Sequence, residues 1–454
     1  MKYIRLTIIT IMFTFLILPF FGPNAEAASE EDYVKVGLKY GSSSVDSCTI
    51  SSEEGFLLGN AEDRSFEEGM PLPAYTKLVA SNENGNIVLR DEEGTLLSSD
   101  LGSAGCIMPA DYEDEGIIYY EKTPYRDGIM LLAKTDGTMT VSSYITLEHY
   151  VYGVLNSELG YGNPIEALKA QAVAARSYGE LNLGKHSAQG FDLCCSTDCQ
   201  VYKGYSDEHP QTNEAVDETR GEMIYCDGKP VMAFYFKNSG GYTQNAEDVW
   251  ANKEPYLKAV EDEYSPKYPW SASLSFDTIR TKLEAAGYDP GTVQSVSISE
   301  RNDNGSVSEL KIAGSRSTVC LKKESIRNVL GAAVIKSSQF ELTDSTVNGN
   351  SSAWKISNGD SSASPGDDIC VIGGNGKVRK LDCDTVYGYN GASTVKLGGT
   401  AVSETVTGDT ANFSGNGYGH GVGMPQDSAV EMAKQGFTYE EILEYYFTDI
   451  KVRR

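Results

Sequence analysis

Basic residues are scarce in this sequence. It contains 38 lysines and arginines against 64 aspartates and glutamates, which gives a formal net charge of −26. Affinity for nucleic acid needs a basic footprint, so this balance argues against DNA or RNA as a partner. An acidic surface mostly reports solubility, and it does not require a cationic substrate.

Long apolar runs are absent after the first 28 residues, so no later segment is predicted to cross a membrane. Residues 1–28 have the pattern of a secretory signal, with Lys2 and Arg5 before an apolar run and Ala25-Glu26-Ala27 as a small-residue cleavage site. We therefore expect an exported protein of the extracellular space or cell envelope. A retained N-terminal membrane anchor is the alternative, because the apolar run is nearly long enough to span.

The cysteines do not make an even set. An exported chain with nine cysteines leaves at least one that is free, bound to metal or paired between chains. Six of them lie singly in strand-like contexts, where we expect buried and inert thiols. These six are Cys48, Cys106, Cys226, Cys320, Cys370 and Cys383.

The length of 454 residues predicts two or three domains, and 40% of the residues are hydrophobic, which is enough to bury cores. Period-two alternation, as in YVKVGLKYG, predicts a β-rich N-terminal module over residues 29–125. We expect a mixed α+β core over 126–343 and 412–454, and its last helix is predicted to begin with a capping box formed by Thr438 and Glu441. A Ser/Gly-rich β segment, residues 344–411, is expected as an insertion.

Residues 145–181 contain two helical patterns separated by the turn LGYGNP. The apolar stripe of the first pattern ends at Glu158. Asn163 and Glu166 are placed to form a capping box for the second helix, with Pro164 at its first position. That helix is rich in alanine, which predicts an element that others pack around. Its residues Lys169 and Arg176 share one face, whereas Gln171 points away from them.

These motifs resemble the SpoIID/LytB family of bacterial cell-wall proteins, through LEHYVYG, SE and EALKAQAVAARSY. The resemblance continues in FDLCCSTDCQVYKG, SGGYTQNAEDVW and GYGHGVGMPQDSAVEMAKQGFTYEEILEYYF. Sporulation members are lytic transglycosylases that act on peptidoglycan glycan strands stripped of stem peptides. The resemblance implies a SpoIID-like catalytic core with Glu158 as its acid. It also implies that Lys169, Gln171 and Arg176 bind or position the glycan.

Two glycine-rich turns supply further candidate substrate-binding residues. In the first, which follows the predicted strand PVMAFYFKN, glycines would bring backbone amides close to a ligand; its candidates are Ser239, Gly240, Gly241 and Thr243. In the second, GNGYGHGVGMPQ, no register fits a phosphate loop, and a tight turn that aims the imidazole of His420 is the better interpretation. An ordinary turn and a structural histidine are the respective alternatives.

Cys194 and Cys199 are separated by four residues, and His186 precedes Cys194 by eight positions. Two thiolates and an imidazole suit zinc, although the spacing fits a disulfide or free thiols equally well. The resemblance favours zinc, since some clostridial-type members bind it near this cysteine pair. Members often carry histidine where this chain has Asp198, which leaves the fourth ligand unassigned. No cofactor is expected in catalysis itself, so this zinc would be structural.

No convincing second catalytic carboxylate is present, and Asp192 and Asp248 are the nearest candidates. Glycosidases usually employ two carboxylates. The resemblance implies a different chemistry, in which one glutamate cleaves the bond between N-acetylmuramic acid and N-acetylglucosamine and leaves a 1,6-anhydro end. LytB-type relatives are described as amidase modifiers. The alternative is therefore a non-catalytic wall-binding protein that stimulates an N-acetylmuramoyl-L-alanine amidase or acts with other sporulation proteins.

Overall fold

The structure is a computed structural model that describes residues 32–343 and 404–454, apart from residues 63, 100, 103 and 115. Between 344 and 403 it describes only short strands. The predicted signal or anchor at residues 1–28 lies outside the described residues, as do the side chains of Cys370 and Cys383. Among the helices that the structure does describe, none has the length and apolar character needed to cross a membrane.

From residue 32 onward, twelve strands precede the first α-helix that the structure describes, as the alternating N-terminal pattern predicted. They are β1 (Tyr33–Lys39), β2 (Ser47–Ser51), β3 (Phe56–Glu62), β4 (Ser65–Leu72), β5 (Lys77–Glu83), β6 (Asn86–Arg90), β7 (Leu96–Ser98), β8 (Ala104–Pro109), β9 (Ile117–Tyr120), β10 (Thr123–Arg126), β11 (Gly128–Ala133) and β12 (Met139–Thr146). The next elements are α1 (Leu147–Glu158), α2 (Ile165–Leu181) and the short strand β13 (Leu193–Cys194).

These strands form two sheets around one hydrophobic core. The first sheet has the order β13-β1-β12-β11-β8-β3-β4 and the second β10-β9-β2-β5-β6-β7. β1 pairs antiparallel with β12, with Tyr33 opposite Thr146, and parallel with β13. The predicted boundary between residues 125 and 126 is therefore wrong, because strands from both sides of it complete the same sheet and contribute to the same core.

The alanine-rich helix α2 lies between this first core and a second one, as the sequence predicted for a helix that others pack around. Small side chains allow neighbouring elements to approach α2 from both sides. Its residues in the first core include Leu168, Ala172 and Ala175. Its residues in the second core are Ala170, Val173 and Ala174.

After the cysteine-rich loop, α3 (Pro210–Glu218) adds Ala215 and Val216 to the first core. The second core continues with the elements that follow, which are β14 (Met223–Cys226), β15 (Lys229–Pro230), β16 (Tyr235–Phe236) and α4 (Ala246–Val249). The long buried strand predicted for PVMAFYFKN is much shorter than expected. Beyond Pro230 the segment contains the two-residue strand β16, which pairs with a two-residue strand near the C-terminus, and a single bridge between Asn238 and Tyr418.

The next segment has its own hydrophobic core, which includes residues from Trp270 to Leu342 and from Val406 to Phe413. Its elements are β17 (Pro269–Ser275), α5 (Phe276–Ala285), β18 (Val293–Arg301), β19 (Val307–Gly314), β20 (Thr318–Lys322), α6 (Ser325–Leu330), β21 (Phe340–Thr343), the short strands β22 (Thr346–Val347), β23 (Ile356–Ser357), β24 (Ser362–Ala363), β25 (Cys370–Ile372), β26 (Val378–Lys380), β27 (Tyr387–Tyr389) and β28 (Thr394–Lys396), and then β29 (Glu404–Thr407) and β30 (Thr410–Asn416). We call residues 269–343 and 404–416 the β module. Its core begins well before the insertion predicted at 344–411.

The chain returns to the second core through β31 (Met424–Pro425), α7 (Gln426–Lys434), α8 (Tyr439–Tyr446) and β32 (Ile450–Arg453). β31 pairs with β16, and β32 pairs with β14. The predicted capping box at α8 is confirmed, because Thr438 and Glu441 exchange both hydrogen bonds. The mixed helices and sheets confirm the predicted α+β class.

Candidate active site

Glu158 is the last residue of α1, and a tight turn follows it. Gly160 and Gly162 have positive φ angles of 87° and 85°, which glycine adopts at little cost. Asn163 Nδ2 donates hydrogen bonds to two carbonyls of this turn, at 3.0 and 3.1 Å. The predicted cap at Asn163 is therefore wrong: its side chain closes α1, and Pro164 takes the N-cap position of α2 without a side-chain cap.

The carboxyl group of Glu158 opens on a cleft of about 670 Å³. The cleft is lined by residues of α2 and by three other segments, which comprise residues 197–201, residues 234–237 with Trp250, and residues 418–420 with Gln426. These segments are far apart in the sequence, and packing around α2 brings them together. The family motifs of the chain thus converge on one glutamate.

Glu158 is half-buried and fixed by hydrogen bonds on both its side chain and its backbone. Its Oε1 accepts from the backbone amide of Val201 at 2.9 Å, and its carbonyl oxygen accepts from Gln426 Nε2 at 3.1 Å. Burial raises the pKa of the Glu158 carboxyl, and the hydrogen bond from Val201 opposes this shift. A raised pKa favours the protonated form, which is the form that an acid catalyst needs.

Tyrosine rings form the wall nearest to this carboxyl. Tyr178 and Tyr235 line the cleft, and burial raises the pKa of both phenols. Gln200 Nε2 donates to the Tyr235 hydroxyl at 2.9 Å, which fixes the ring. Tyr161 is 61% exposed and stacks on His209, outside the cleft lining.

Four potential metal ligands meet at one edge of the cleft: His186, Cys194, Asp198 and Cys199. Their donor atoms all lie within 4.8 Å of one another. His186 Nε2 lies 3.4 Å from Cys199 Sγ and 3.2 Å from Asp198 Oδ2. Two thiols, one imidazole and one carboxylate make a four-donor set of the type that zinc accepts. The aspartate that the sequence left unassigned thus stands at the fourth position.

All seven cysteines whose side chains are described have free thiols, including Cys194 and Cys199. Cys48, Cys106 and Cys226 are buried, as expected for inert thiols. The expectation is wrong for Cys320, which is exposed on β20.

Gln171 lies behind Glu158 and does not line the cleft. It is fully buried, and its Oε1 accepts from Gln426 Nε2 at 3.5 Å, the same group that donates to the Glu158 carbonyl. Gln171 Nε2 has no hydrogen-bond partner among the described residues. This position connects Gln171 to Glu158 through one intervening side chain, so the predicted direct contact with glycan does not fit the geometry.

Lys169 and Arg176 share one face of α2, as predicted, but that face packs against α3 and not against the cleft. The Arg176 guanidinium is 1% exposed and forms a bidentate pair with Glu148, with N–O distances of 2.8 and 2.7 Å. Lys169 Nζ pairs with Glu166 at 3.1 Å and with Glu218 at 2.6 Å. Their assignment to substrate binding is corrected accordingly, because both cations are already neutralised by protein carboxylates.

Glu166 does not complete a capping box at the start of α2. Besides its pair with Lys169, its Oε2 accepts from the backbone amide of Tyr439 at 2.8 Å. That amide belongs to the first turn of α8, where free N–H groups favour a carboxylate. Glu166 therefore joins two helices of the second core.

His420 lines the cleft, but both of its ring nitrogens are engaged by the backbone. Nδ1 accepts from the amide of Val422 at 3.1 Å, so Nε2 carries the proton and donates to the Tyr235 carbonyl at 3.0 Å. Burial, with the Arg327 cation, lowers the pKa of His420 to about 4. The ring also packs against Trp250. The geometry corresponds to the structural alternative for this histidine.

The Ser-Gly-Gly turn does not line the cleft, and its predicted role in binding glycan is corrected. Ser239 Oγ donates to the buried carboxylate of Asp262 at 2.6 Å. The side chain of Thr243 is also buried, and its Oγ1 accepts from the Val260 amide at 2.7 Å.

The two glycines of this turn are required by its backbone. Gly240 has a φ of 71°, and a Cβ there would meet the Asn416 carbonyl at 2.8 Å. Gly241 also has positive φ, and its carbonyl accepts from the Asp262 amide at 2.8 Å. These residues hold the turn together.

Among the residues that line the cleft, the carboxylates are Glu158 and Asp198. Asp192 lies elsewhere, accepting from the Lys35 amide at 2.9 Å, and Asp248 accepts from Asn245 Nδ2 at 2.6 Å. Neither could act beside Glu158. Trp250 also lines the cleft. Tyr178 and Tyr235 were missed, because nothing in the local pattern distinguishes a cleft tyrosine from a core tyrosine.

Comparison with known proteins agrees with the sequence motifs. A family model described as "Stage II sporulation protein" (SpoIID) matches residues 135–225, which include α1, α2 and the donor cluster. Over these residues the resemblance seen in the sequence is confirmed, because the segment is similar to the SpoIID family. A second model, a domain of unknown function named DUF8618, matches residues 261–359 and so overlaps the β module.

Three curated relatives show how far the similarity extends. The amidase enhancer of Bacillus subtilis is 29% identical over 65% of this chain, and the match covers 39% of that protein's length. Stage II sporulation protein D of Bacillus amyloliquefaciens is 29% identical over 68% of this chain and 74% of its own length. An uncharacterised protein of Brachyspira hyodysenteriae is 27% identical over 74% of this chain and 73% of its own.

Proposed function

We propose that this protein is an exported, peptidoglycan-remodelling lytic transglycosylase with Glu158 as its single acid and base. The observation that carries the proposal is the position of Glu158. It is a half-buried carboxyl with a raised pKa, it stands at the end of a helix, and it opens on a cleft whose nearest walls are aromatic. A glycan strand needs an open cleft of this kind because it must enter along its length.

The reaction takes two proton transfers at one carboxyl group. Protonated Glu158 gives its proton to the oxygen that links N-acetylmuramic acid to N-acetylglucosamine, and the bond from that oxygen to C1 breaks. The resulting carboxylate then removes the proton of the C6 hydroxyl of the same muramic acid. That oxygen bonds to C1 and forms a 1,6-anhydro ring, so no water is consumed and Glu158 is again protonated.

The surroundings of Glu158 suit both steps. Burial raises the pKa of the carboxyl and so favours the protonated form from which the reaction starts, and the Val201 amide stabilises the carboxylate that forms between the two transfers. The rings of Tyr178, Phe234 and Trp250 offer apolar surfaces for sugar faces. Asp198, the other carboxylate of the described lining, belongs to the donor cluster, so we assign both proton transfers to Glu158.

We further propose a structural zinc held by His186, Cys194, Asp198 and Cys199. The closeness of the four donor atoms supports this ligand set. A closed four-ligand site leaves no position for substrate, so the metal would hold the loop and would take no part in the reaction. Cys199 and Val201 belong to the same loop, so the set also fixes the amide that contacts Glu158.

A second candidate function is stimulation of a wall amidase without cleavage of glycan. The observation that favours it is the match to a protein named amidase enhancer, although that match spans only 39% of the relative's length. Peptidoglycan would be the shared ligand in both cases. A role in sporulation would agree with the names of the other relatives.

The purified protein should be incubated with glycan strands, both alone and with a wall amidase. Release of 1,6-anhydro ends by the protein alone supports the transglycosylase. Faster amidase turnover without new glycan ends would support the second function. Export can be tested separately by sequencing the N-terminus of protein recovered from the cell envelope and the medium.

A further inference from the structure

Three lysines lie in or beside the cleft, and one of them differs from the others in its partners. Lys185 Nζ pairs with Asp198 at 3.2 Å, and Lys237 Nζ pairs with Asp427 at 2.8 Å. Lys336 is partly exposed and, within the part of the chain that the structure describes, forms no ion pair. The ammonium group lies instead over two tyrosine rings, 5.4 Å from the centroid of Tyr268 and 5.7 Å from that of Tyr418.

The backbone places Lys336 at the rim of the cleft. Its carbonyl accepts a hydrogen bond of 2.9 Å from the amide of Gly419, and both Gly419 and Tyr418 line the cleft. The next residue, Ser337, is buried, and its Oγ donates to the Asn416 carbonyl at 2.6 Å. Lys336 is therefore held in place by a segment of the β module, beside residues of the SpoIID-like core.

The two rings orient this cation without neutralising it. A tyrosine face attracts an ammonium group through its quadrupole, but it carries no negative charge that would compete with an anion. In a chain with a net charge of −26, most lysines around the cleft already have a carboxylate partner. The Lys336 ammonium group, which lies over two rings at the rim of the cleft, is thus available to bind an anionic group of a ligand in the cleft.

We propose that Lys336 binds a carboxylate carried by the glycan in the cleft. The inference rests on the proposed function, and it adds that the substrate bears free carboxylates. A muramic acid unit without its peptide exposes the carboxylate of its lactyl group. A stem peptide ends in the same chemical group, so the two sources must be distinguished by experiment. The β module, which overlaps the match to a domain of unknown function, would thereby contribute to substrate selection.

Binding should be measured in the Glu158→Gln background, so that no cleavage intervenes. The probes are peptide-free glycan strands, the same strands with their carboxylates converted to neutral methylamides, and strands that retain stem peptides. We expect Lys336→Gln to weaken binding of the peptide-free strands about fivefold, as for a partly exposed ion pair, and to leave the amidated strands unaffected. Lys336→Arg should retain most of the affinity, because it keeps the charge.

Lys311→Gln is the matched control. Lys311 is exposed on β19 of the same β module, does not line the cleft, and its replacement changes the net charge by the same amount. It should bind all three probes as the parent protein does. In the active enzyme, Lys336→Gln should raise KM for peptide-free strands and leave kcat nearly unchanged, since both proton transfers are assigned to Glu158.

If Lys336→Gln lost the same affinity for peptide-free strands and for amidated strands, the inference would be overturned. Lys336 would then be a packing residue for Tyr268 and Tyr418. Unchanged affinity for both kinds of strand would also overturn the inference. A loss confined to strands with stem peptides would assign the carboxylate to the peptide and contradict the lactyl source. If the parent Glu158→Gln protein bound none of the three probes, the proposed function itself would fail together with this inference.

Discussion

The backbone amide of Val201 donates a hydrogen bond of 2.9 Å to Oε1 of Glu158. Val201 follows Cys199 by two residues, so the loop that carries two of the proposed zinc ligands also holds the catalytic carboxyl. Disorder in that loop would remove the hydrogen bond that the Glu158 carboxyl accepts from Val201. Metal binding, fold stability and catalysis are therefore expected to depend on the same loop.

The zinc proposal predicts about one zinc per chain in protein purified without added metal, and Cys199→Ser should abolish it. Asp198→Ala should weaken binding by on the order of tenfold or more, because it removes one of four donors. Elemental analysis and competition with a chelator measure both effects. Cys195→Ser is the matched control. Cys195 is outside the donor set, so this variant should retain zinc. A disulfide between Cys194 and Cys199, seen by mass spectrometry, would contradict the proposal.

Arg176→Ala should destabilise the protein by about 3–5 kcal/mol, because it leaves the buried carboxylate of Glu148 without its partner. Lys169→Ala should cost much less, since its ion pairs are partly exposed. Denaturant unfolding measures the two changes. Adding Glu148→Gln to Arg176→Ala should restore part of the lost stability. A large loss of activity per folded molecule, with normal stability, would instead make Arg176 a substrate contact.

His420 predicts a particular acid sensitivity. Its folded-state pKa of about 4 lies below the ordinary value of 6.5, so the unfolded chain binds more protons between these values. Stability from His420 is therefore complete above pH 6.5 and declines as the pH falls toward 4. Thermal unfolding across this range should show that decline in the wild type, and His420→Ala should flatten it. The variant should also lose about 2 kcal/mol at neutral pH, because two backbone groups lose their partner. If stability fell with pH as steeply in His420→Ala as in the wild type, His420 would not be the group responsible for the decline.

The raised pKa of Glu158 predicts how the activity depends on pH at alkaline values. Burial raises its pKa, so the carboxyl remains protonated to a higher pH than an exposed glutamate does. The rate of glycan cleavage should fall as the pH rises through this raised pKa, because the proton donor is lost. The same ionisation of a buried group should reduce stability over the same range. Val201 cannot be removed as a donor by side-chain substitution, but Val201→Pro removes its amide proton and should shift the alkaline limb upward.

Local patterns predicted much of what lies near α1 and α2. The helix pair, the tight turn after Glu158, the capping box of α8 and the shared face of Lys169 and Arg176 follow from spacing and capping chemistry alone. The resemblance then identified Glu158 and the cysteine pair. Such signals are carried by residues within a few turns of one another, which is why a single sequence reveals them.

Partners that are distant in the sequence account for the errors. Arg176 was taken for a substrate contact because its partner, Glu148, belongs to another helix. Asn163 was taken for a cap of the second helix, but carbonyls of the preceding turn compete for the same side chain. Whether the His420 ring is free to bind a substrate depends on the Tyr235 carbonyl, which is distant in the sequence. The order of strands in a sheet, which moved the predicted boundary at residue 125, is likewise a long-range property.

The most direct test of the account compares wild-type protein with Glu158→Gln on purified, peptide-free glycan strands, with analysis of the chain ends that form. The substitution is nearly isosteric, and an amide oxygen can still accept from Val201, so the variant should unfold at about the wild-type temperature. We predict 1,6-anhydro ends with the wild type and none with the variant. Substantial cleavage by Glu158→Gln, or ordinary reducing ends produced by water, would contradict the assignment of Glu158 as the single acid and base.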